Sequence, residues 1–113
     1  MHELSLVQSV VRLLEESARE HRIRRIIRVR LVVGRLSAAL PDSLRFCWRH
    51  LPRGELLADA ELEIVEREAE AHCEGCGRSF ALGEGAFRCP NCGSSQIRLT
   101  GGEELRVDSY EGE

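Results

Sequence analysis

Four cysteines constrain this chain more than any other feature. Cys73-Glu74-Gly75-Cys76-Gly77 and Cys89-Pro90-Asn91-Cys92-Gly93 are two Cys-x-x-Cys pairs with twelve residues between them. Two pairs at this separation can bring four thiolates to the corners of one tetrahedron, the arrangement a structural zinc ion takes. Gly77 and Gly93 follow the second cysteine of each pair, where a positive φ lets backbone N–H groups turn toward the sulfurs. Pro90 stiffens the second turn. Two disulfides are the alternative, and they would leave Cys47 as an odd thiol. A rubredoxin-like iron centre would use the same spacing, although a short insert with few aromatics fits it poorly. Residues 70–101 are thus expected to form a zinc-binding module too small to fold without its metal.

The remainder of the 113 residues can bury one modest core. Ser5 with Gln8 reads as a capping box, and Leu6, Val10, Leu13, Leu14 and Ala18 recur at helical spacing, so a helix is expected over residues 5–20. Ile27, Val29, Leu31 and Val33 alternate as the buried face of a strand, with Arg28 and Arg30 on the other face. Pro41-Asp42-Ser43 opens a second helix, with Asp42 or Ser43 as its cap. Leu44, Cys47, Trp48 and Leu51 are its buried stripe, where Cys47 serves as a small apolar residue. Glu61 to Glu66 reads as a second strand. Gln96 to Leu99 closes the module, with Phe80 and Phe87 flanking a hairpin tip at Leu82 to Gly85 and packing beneath the metal. Leu105 and Val107 begin a last strand without a partner inside the module. It is expected to return to the first sheet. The fold class is therefore α+β: a sheet of about three strands with two helices over residues 1–69, completed by 102–113, plus the inserted four-cysteine module.

Charge narrows the function. The net charge is −3, which argues against a general nucleic-acid binder. Seven arginines lie between Arg19 and Arg35 against one acid, Glu20. The bland reading, a solvated strand face paired with acids such as Glu61 and Glu63 on a neighbouring strand, is preferred to a docking surface. Within the module Arg78, Arg88 and Arg98 are balanced by Glu70, Glu74 and Glu84, which speaks against a nucleic-acid-binding zinc ribbon. No export signal and no membrane-length apolar stretch is read, so a cytoplasmic protein is expected. No nucleophile–base pair, phosphate loop or open catalytic zinc site is visible, and no enzyme activity is expected.

Met1-His2-Glu3 offers different chemistry. A terminal amine, the His2 amide and the His2 imidazole can close two fused chelate rings around one metal, with the Glu3 amide at a fourth position. Such a planar, nitrogen-rich set suits Ni(II) or Cu(II) rather than zinc. Amide nitrogens bind only when deprotonated, so affinity should fall as pH falls. The alternative is an incidental histidine near a start codon.

Met1-His2-Glu3-Leu4-Ser5, together with Cys73, Cys76, Cys89 and Cys92, resembles the HypA/HybF family of hydrogenase nickel-insertion proteins. The likeness extends through Val33-Gly34-Arg35-Leu36-Ser37, Pro41-Asp42-Ser43-Leu44-Arg45-Phe46 and Gly102-Glu103-Glu104-Leu105-Arg106-Val107. It implies a nickel metallochaperone with Met1 (through its amine), His2 and Glu3 as nickel ligands and the four cysteines holding structural zinc. It implies delivery, with a GTPase of the HypB kind, to the large subunit of a [NiFe] hydrogenase. Some members also serve urease, which would bring in urease accessory proteins. Some relatives place a further carboxylate near the second helix; Leu40-Pro41-Asp42 is the matching segment, and that ligand is not carried over. His72, directly before Cys73, is a candidate modulator on the zinc side, against a plainer role as a surface residue. The reading from another class is a zinc-ribbon adaptor or nucleic-acid-binding protein.

Overall fold

Helix α1 spans Glu3–Glu20 in a computed structural model that describes residues 3–82 and 87–113. Its buried stripe is Val7, Val11, Leu14 and Ala18, with Leu6 and Val10 half-buried beside it. The expected stripe was rotated by about one residue, and Leu13 is 53% exposed. Apolar residues come in adjacent pairs here (6/7, 10/11, 13/14), so periodicity leaves two phases open and packing selects one. The capping box does not form. The helix reaches back to Glu3, whose carboxylate suits the positive end of the dipole. Ser5 lies inside the first turn, where its carbonyl accepts from Ser9 Oγ at 3.0 Å. At the other end Ile23 N donates to Ala18 O (2.8 Å) and Arg22 N to Arg19 O (3.3 Å), a Schellman closure with Arg22 at φ +56°.

Strand β1 (Ile26–Gly34) is the middle of a sheet ordered β2-β1-β6, where β2 is Glu61–Arg67 and β6 is Leu105–Gly112. It runs parallel to β2 and antiparallel to β6. The parallel register sets Arg28 opposite Glu61 and Arg30 opposite Glu63, and the ion pairs close at 3.8 and 3.4 Å. The arginine run on this strand is thus a solvated, paired face. Ile27 departs from expectation: it is 41% exposed and Ile26 is fully buried instead. A register shift against β6 between Ile26 and Arg28 changes the side-chain parity at that point.

Helix α2 (Pro41–His50) has Pro41 in its first turn and Leu40 as N-cap, with no side-chain cap bond. Asp42 and Ser43 are therefore not caps. Proline at the helix start needs no N–H partner and presets φ, so α2 can start without one. Leu44 and Trp48 are buried, whereas Cys47 is only half-buried against the core. Trp48 Nε1 donates to Ala60 O at 3.1 Å. The Arg53 guanidinium lies over the indole and donates to the carbonyls of Trp48, Leu57 and Ala58, which fixes the loop after α2.

A second sheet, β4-β3-β5, is built from Glu70–Cys73 (β3), Ser79–Ala81 (β4) and Ile97–Gly101 (β5), all antiparallel. Its apolar cluster is small: Ala69, Ala71 and Leu82, with Phe80 and Ile97 packed against them. Phe80 thus joins this cluster, but Phe87 is 58% exposed and does not. The hairpin tip expected at Leu82 to Gly85 lies, beyond Leu82, outside the described residues. The two sheets meet at a tight joint. Gly34 N donates to Glu104 O, Leu36 N to Gly102 O and Arg35 N to Arg67 O. A Cβ on Gly34 would stand 2.1 Å from Gly102 O, and one on Gly102 (φ +100°) 2.5 Å from Ala69 Cα. Only glycine fits at either position.

Candidate metal centre

The turn after β3 and the turn before β5 bring the four cysteines together. Their sulfurs all lie within 4.8 Å of one another, with Cys73–Cys92 and Cys76–Cys89 at 3.6 Å. A tetrahedron with metal–sulfur bonds of about 2.3 Å has sulfur–sulfur edges of about 3.8 Å, so the cluster has the size a zinc–thiolate centre needs. Each knuckle is closed by backbone donors: Gly77 N to Cys73 O (2.9 Å) and Gly93 N to Cys89 O (2.8 Å). Cys76 N points at Cys73 Sγ from 3.4 Å. Gly77 and Gly93 have φ of +80° and +76°, the conformation the sequence spacing called for.

Electrostatics points the same way. The Arg78 backbone and then the Asn91 side chain donate to Cys76 and lower its thiol pKa to about 6, against a smaller effect of burial. At Cys92 the Ser94 backbone pulls the pKa down, but hydrogen bonding with Cys73, burial, Cys89 and Cys76 together push it up to about 11. Four thiols this close cannot all ionise alone, because each thiolate raises the cost of the next. A divalent cation at the centre removes that cost and deprotonates the whole set. The donor set therefore fits a soft, tetrahedral metal ion.

His72 does not belong to the cluster. Along β3 the side chains alternate, with Ala71 and Cys73 buried and His72 turned to the other face. There its Nδ1 lies 3.1 Å from the Oγ of Ser79, its partner across the β3–β4 pair.

Met1 and His2, the other candidate ligands, lie outside the described residues. Glu3 is described, and it opens onto a cleft of about 590 Å³ between the starts of α1 and α2. Glu3, Leu4 and Ser5 line one side, and Asp42, Ser43, Phe46 and Cys47 the other. Two carboxylates thus share one solvent-open cleft. From sequence Asp42 is read only as a possible helix cap and as part of the Leu40-Pro41-Asp42 segment, and it is not carried over as a ligand. The available signal was the Pro41-Asp42-Ser43 helix start, which fixes the acid in the first turn but does not say what it faces. Cys47 borders the cleft as a free thiol, and the nearby His50 ring packs edge-on against Phe46 at 4.3 Å. Among the described residues no helix is long and apolar enough to cross a membrane.

Comparison with known proteins converges on one family. Residues 1–112 match a family model described as hydrogenase/urease nickel incorporation, metallochaperone, hypA. The chain is 42% identical over 113 residues to the hydrogenase maturation factor HypA of Moorella thermoacetica, covering 100% of both chains. It is 44% identical over 111 residues to that of Azotobacter chroococcum, covering 98% of each. The solution structure of the Ni metallochaperone HypA from Helicobacter pylori superposes with a TM-score of 0.70 at 31% identity, over 99% of this chain and 97% of that one.

Proposed function

This chain belongs to the HypA family of hydrogenase maturation factors and nickel metallochaperones, and from that premise we propose that it carries Ni(II) at its N-terminus. The ligands are the Met1 amine, His2 and Glu3, while Cys73, Cys76, Cys89 and Cys92 hold a structural zinc ion. The observation that carries this reading is the family match, which begins at residue 1 and takes in both the terminal Met-His-Glu and the four cysteines. The cleft at the start of α1 supports it, because Glu3 lines it at a solvent-open surface, with Asp42, itself paired with Arg45 at 3.1 Å, on the other side.

An open site suits a carrier. A partner can approach the terminus and exchange ligands one at a time, whereas a closed tetrahedral site would retain its metal. Zinc has the opposite task and supplies folding energy to a sheet with few apolar residues. The cargo passes, with a GTPase of the HypB kind, to the large subunit of a [NiFe] hydrogenase in the cytoplasm, and urease accessory proteins are a second route. No step here makes or breaks a covalent bond in a substrate.

Nickel titration of zinc-loaded protein, by calorimetry and absorbance, tests the terminal site. His2→Ala and a form extended by one residue before Met1 are run beside the parent. Both changes are expected to abolish stoichiometric Ni(II) binding and to leave zinc in place. The reading fails if both variants bind nickel like the parent. Affinity should also drop as pH falls, because protons compete for the imidazole and the amide nitrogens.

A further inference from the structure

The four sulfurs are not equivalent. Cys73 and Cys89, the first of each pair, are 0% and 2% exposed. Cys76 and Cys92, the second of each pair, are exposed. Each exposed sulfur stands 3.6 Å from a buried sulfur of the other knuckle: Cys76 from Cys89, and Cys92 from Cys73. Cys76 and Cys92 are the residues an oxidant meets first from solvent, and for each a thiolate able to trap the product lies 3.6 Å away across the cluster.

We propose that the centre is an oxidation site, at which hydrogen peroxide forms the cross-knuckle disulfides Cys76–Cys89 and Cys73–Cys92 and expels the metal. This rests on the zinc reading above. In the first step the Cys76 thiolate attacks one peroxide oxygen, the O–O bond breaks and hydroxide leaves, giving a sulfenic acid. The Cys89 thiolate then attacks the Cys76 sulfur, and a second hydroxide leaves as the S–S bond forms. Two thiolates lose two electrons, the peroxide gains them, and two protons from solvent complete two waters. Cys76 and Cys89 are then no longer available among the four sulfurs that would hold the metal. A second peroxide acts in the same way at Cys92, with Cys73 as the trapping thiolate.

The cross-knuckle pairing has a structural consequence. The first knuckle is a turn that Gly77 N and Cys76 N close on Cys73. The cross bridges leave that turn and its Cys89–Gly93 counterpart as they are. They also tie the two knuckles together, so a covalent staple replaces the metal as the cross-link. The Cys73–Ile97 pairing of β3 with β5 is retained. The metal is released without unfolding the module, and a thiol reductant with zinc restores the starting state.

The test uses the full chain as purified, after metal analysis has identified the bound ion. Hydrogen peroxide is titrated in with a chromophoric zinc chelator present, and the bridges are mapped by mass spectrometry without reduction. Zinc release is expected to follow the peroxide added, with Cys76–Cys89 and Cys73–Cys92 as the bridges and Cys47 still a thiol. Amide signals of β3 and β5 persist, and Cys47→Ser responds like the parent. Bridges within the knuckles (Cys73–Cys76 and Cys89–Cys92) would overturn the proposal. So would zinc retained at peroxide levels that already oxidise Cys47. If metal analysis finds an ion other than zinc, the zinc reading falls while the bridge map still decides the proposal.

Discussion

Both sheets have three strands, but they are held in different ways. The β2-β1-β6 sheet packs under α1 and α2 and buries Leu14, Ile26, Val29, Leu31, Leu44, Trp48 and Leu57. Each such side chain contributes about 1.5–3 kcal/mol when fully buried. Among the described residues the β4-β3-β5 sheet buries two alanines and one leucine, with Phe80 and Ile97 only half-covered. Alanines carry little transfer free energy, so this sheet lacks a core sufficient to offset the entropy of ordering it. The difference is that one sheet is specified by apolar patterning and the other by four ligand positions.

Metal removal is the strongest way to break this comparison. Structural zinc contributes an apparent ~10–16 kcal/mol in small zinc modules at neutral pH. A tight chelator should therefore unfold the β4-β3-β5 sheet while the helical signal of α1 and α2 stays. Amide NMR would report the two parts separately. Loss of both parts together would show that the first sheet depends on the second. Acid should act in the same direction. Thiolates bind metal and thiols do not, so metal affinity drops as pH falls and the loss accelerates below about 6, the Cys76 pKa.

Leu14→Ala probes the other side. Leu14 is fully buried, and truncation there should cost about 2–5 kcal/mol. Denaturant melts followed by far-UV circular dichroism should show the helical transition move, with zinc content unchanged. A mutation at the joint should affect both sheets. Gly102→Ala puts a methyl group 2.5 Å from Ala69 Cα at a φ of +100°, and the backbone strain alone is about 1–3 kcal/mol. It should lower both transitions, since Gly102 O accepts from Leu36 N in the turn that follows β1 while Gly101 pairs with Glu70 of the second sheet.

The contrast also explains what was legible in the sequence. Cys73, Cys76, Cys89 and Cys92 were readable because metal ligation needs particular residues at particular spacings. The α+β class and the pairing of Arg28 and Arg30 with Glu61 and Glu63 were readable because strand alternation is strict. The phase of α1 was not, because Leu6/Val7, Val10/Val11 and Leu13/Leu14 offer two stripes and only the packed partner selects one. Ile26 and Ile27 exchanged places because a register shift depends on β6, which lies more than seventy residues away. Phe87 was assigned to the small core because few apolar residues were available, yet scarcity of candidates does not bring a side chain inward. The Glu3–Asp42 cleft needed the relative placement of two helices, and no local pattern encodes that.

The smallest expected effect sharpens the comparison within the first sheet alone. Arg22 closes α1 at φ +56°, where a side chain costs roughly 1–2 kcal/mol relative to right-handed backbone. Its charge offsets part of that, since a cation at a helix C-terminus gains about 0.3–1 kcal/mol. Arg22→Ala removes the charge and keeps the strain, so it should destabilise slightly. Arg22→Gly removes both, and its greater unfolded-state freedom costs about 0.5–1 kcal/mol. Glycine should therefore be more stable than alanine at this position by up to about 1.5 kcal/mol, read as a shift in the helical transition at constant zinc content. If alanine equals or exceeds glycine, the closure is not strained and the helix end is set by the contacts of Ile23 instead. If zinc-dependent signals move with these substitutions, the two sheets are coupled beyond the Gly34–Gly102 joint.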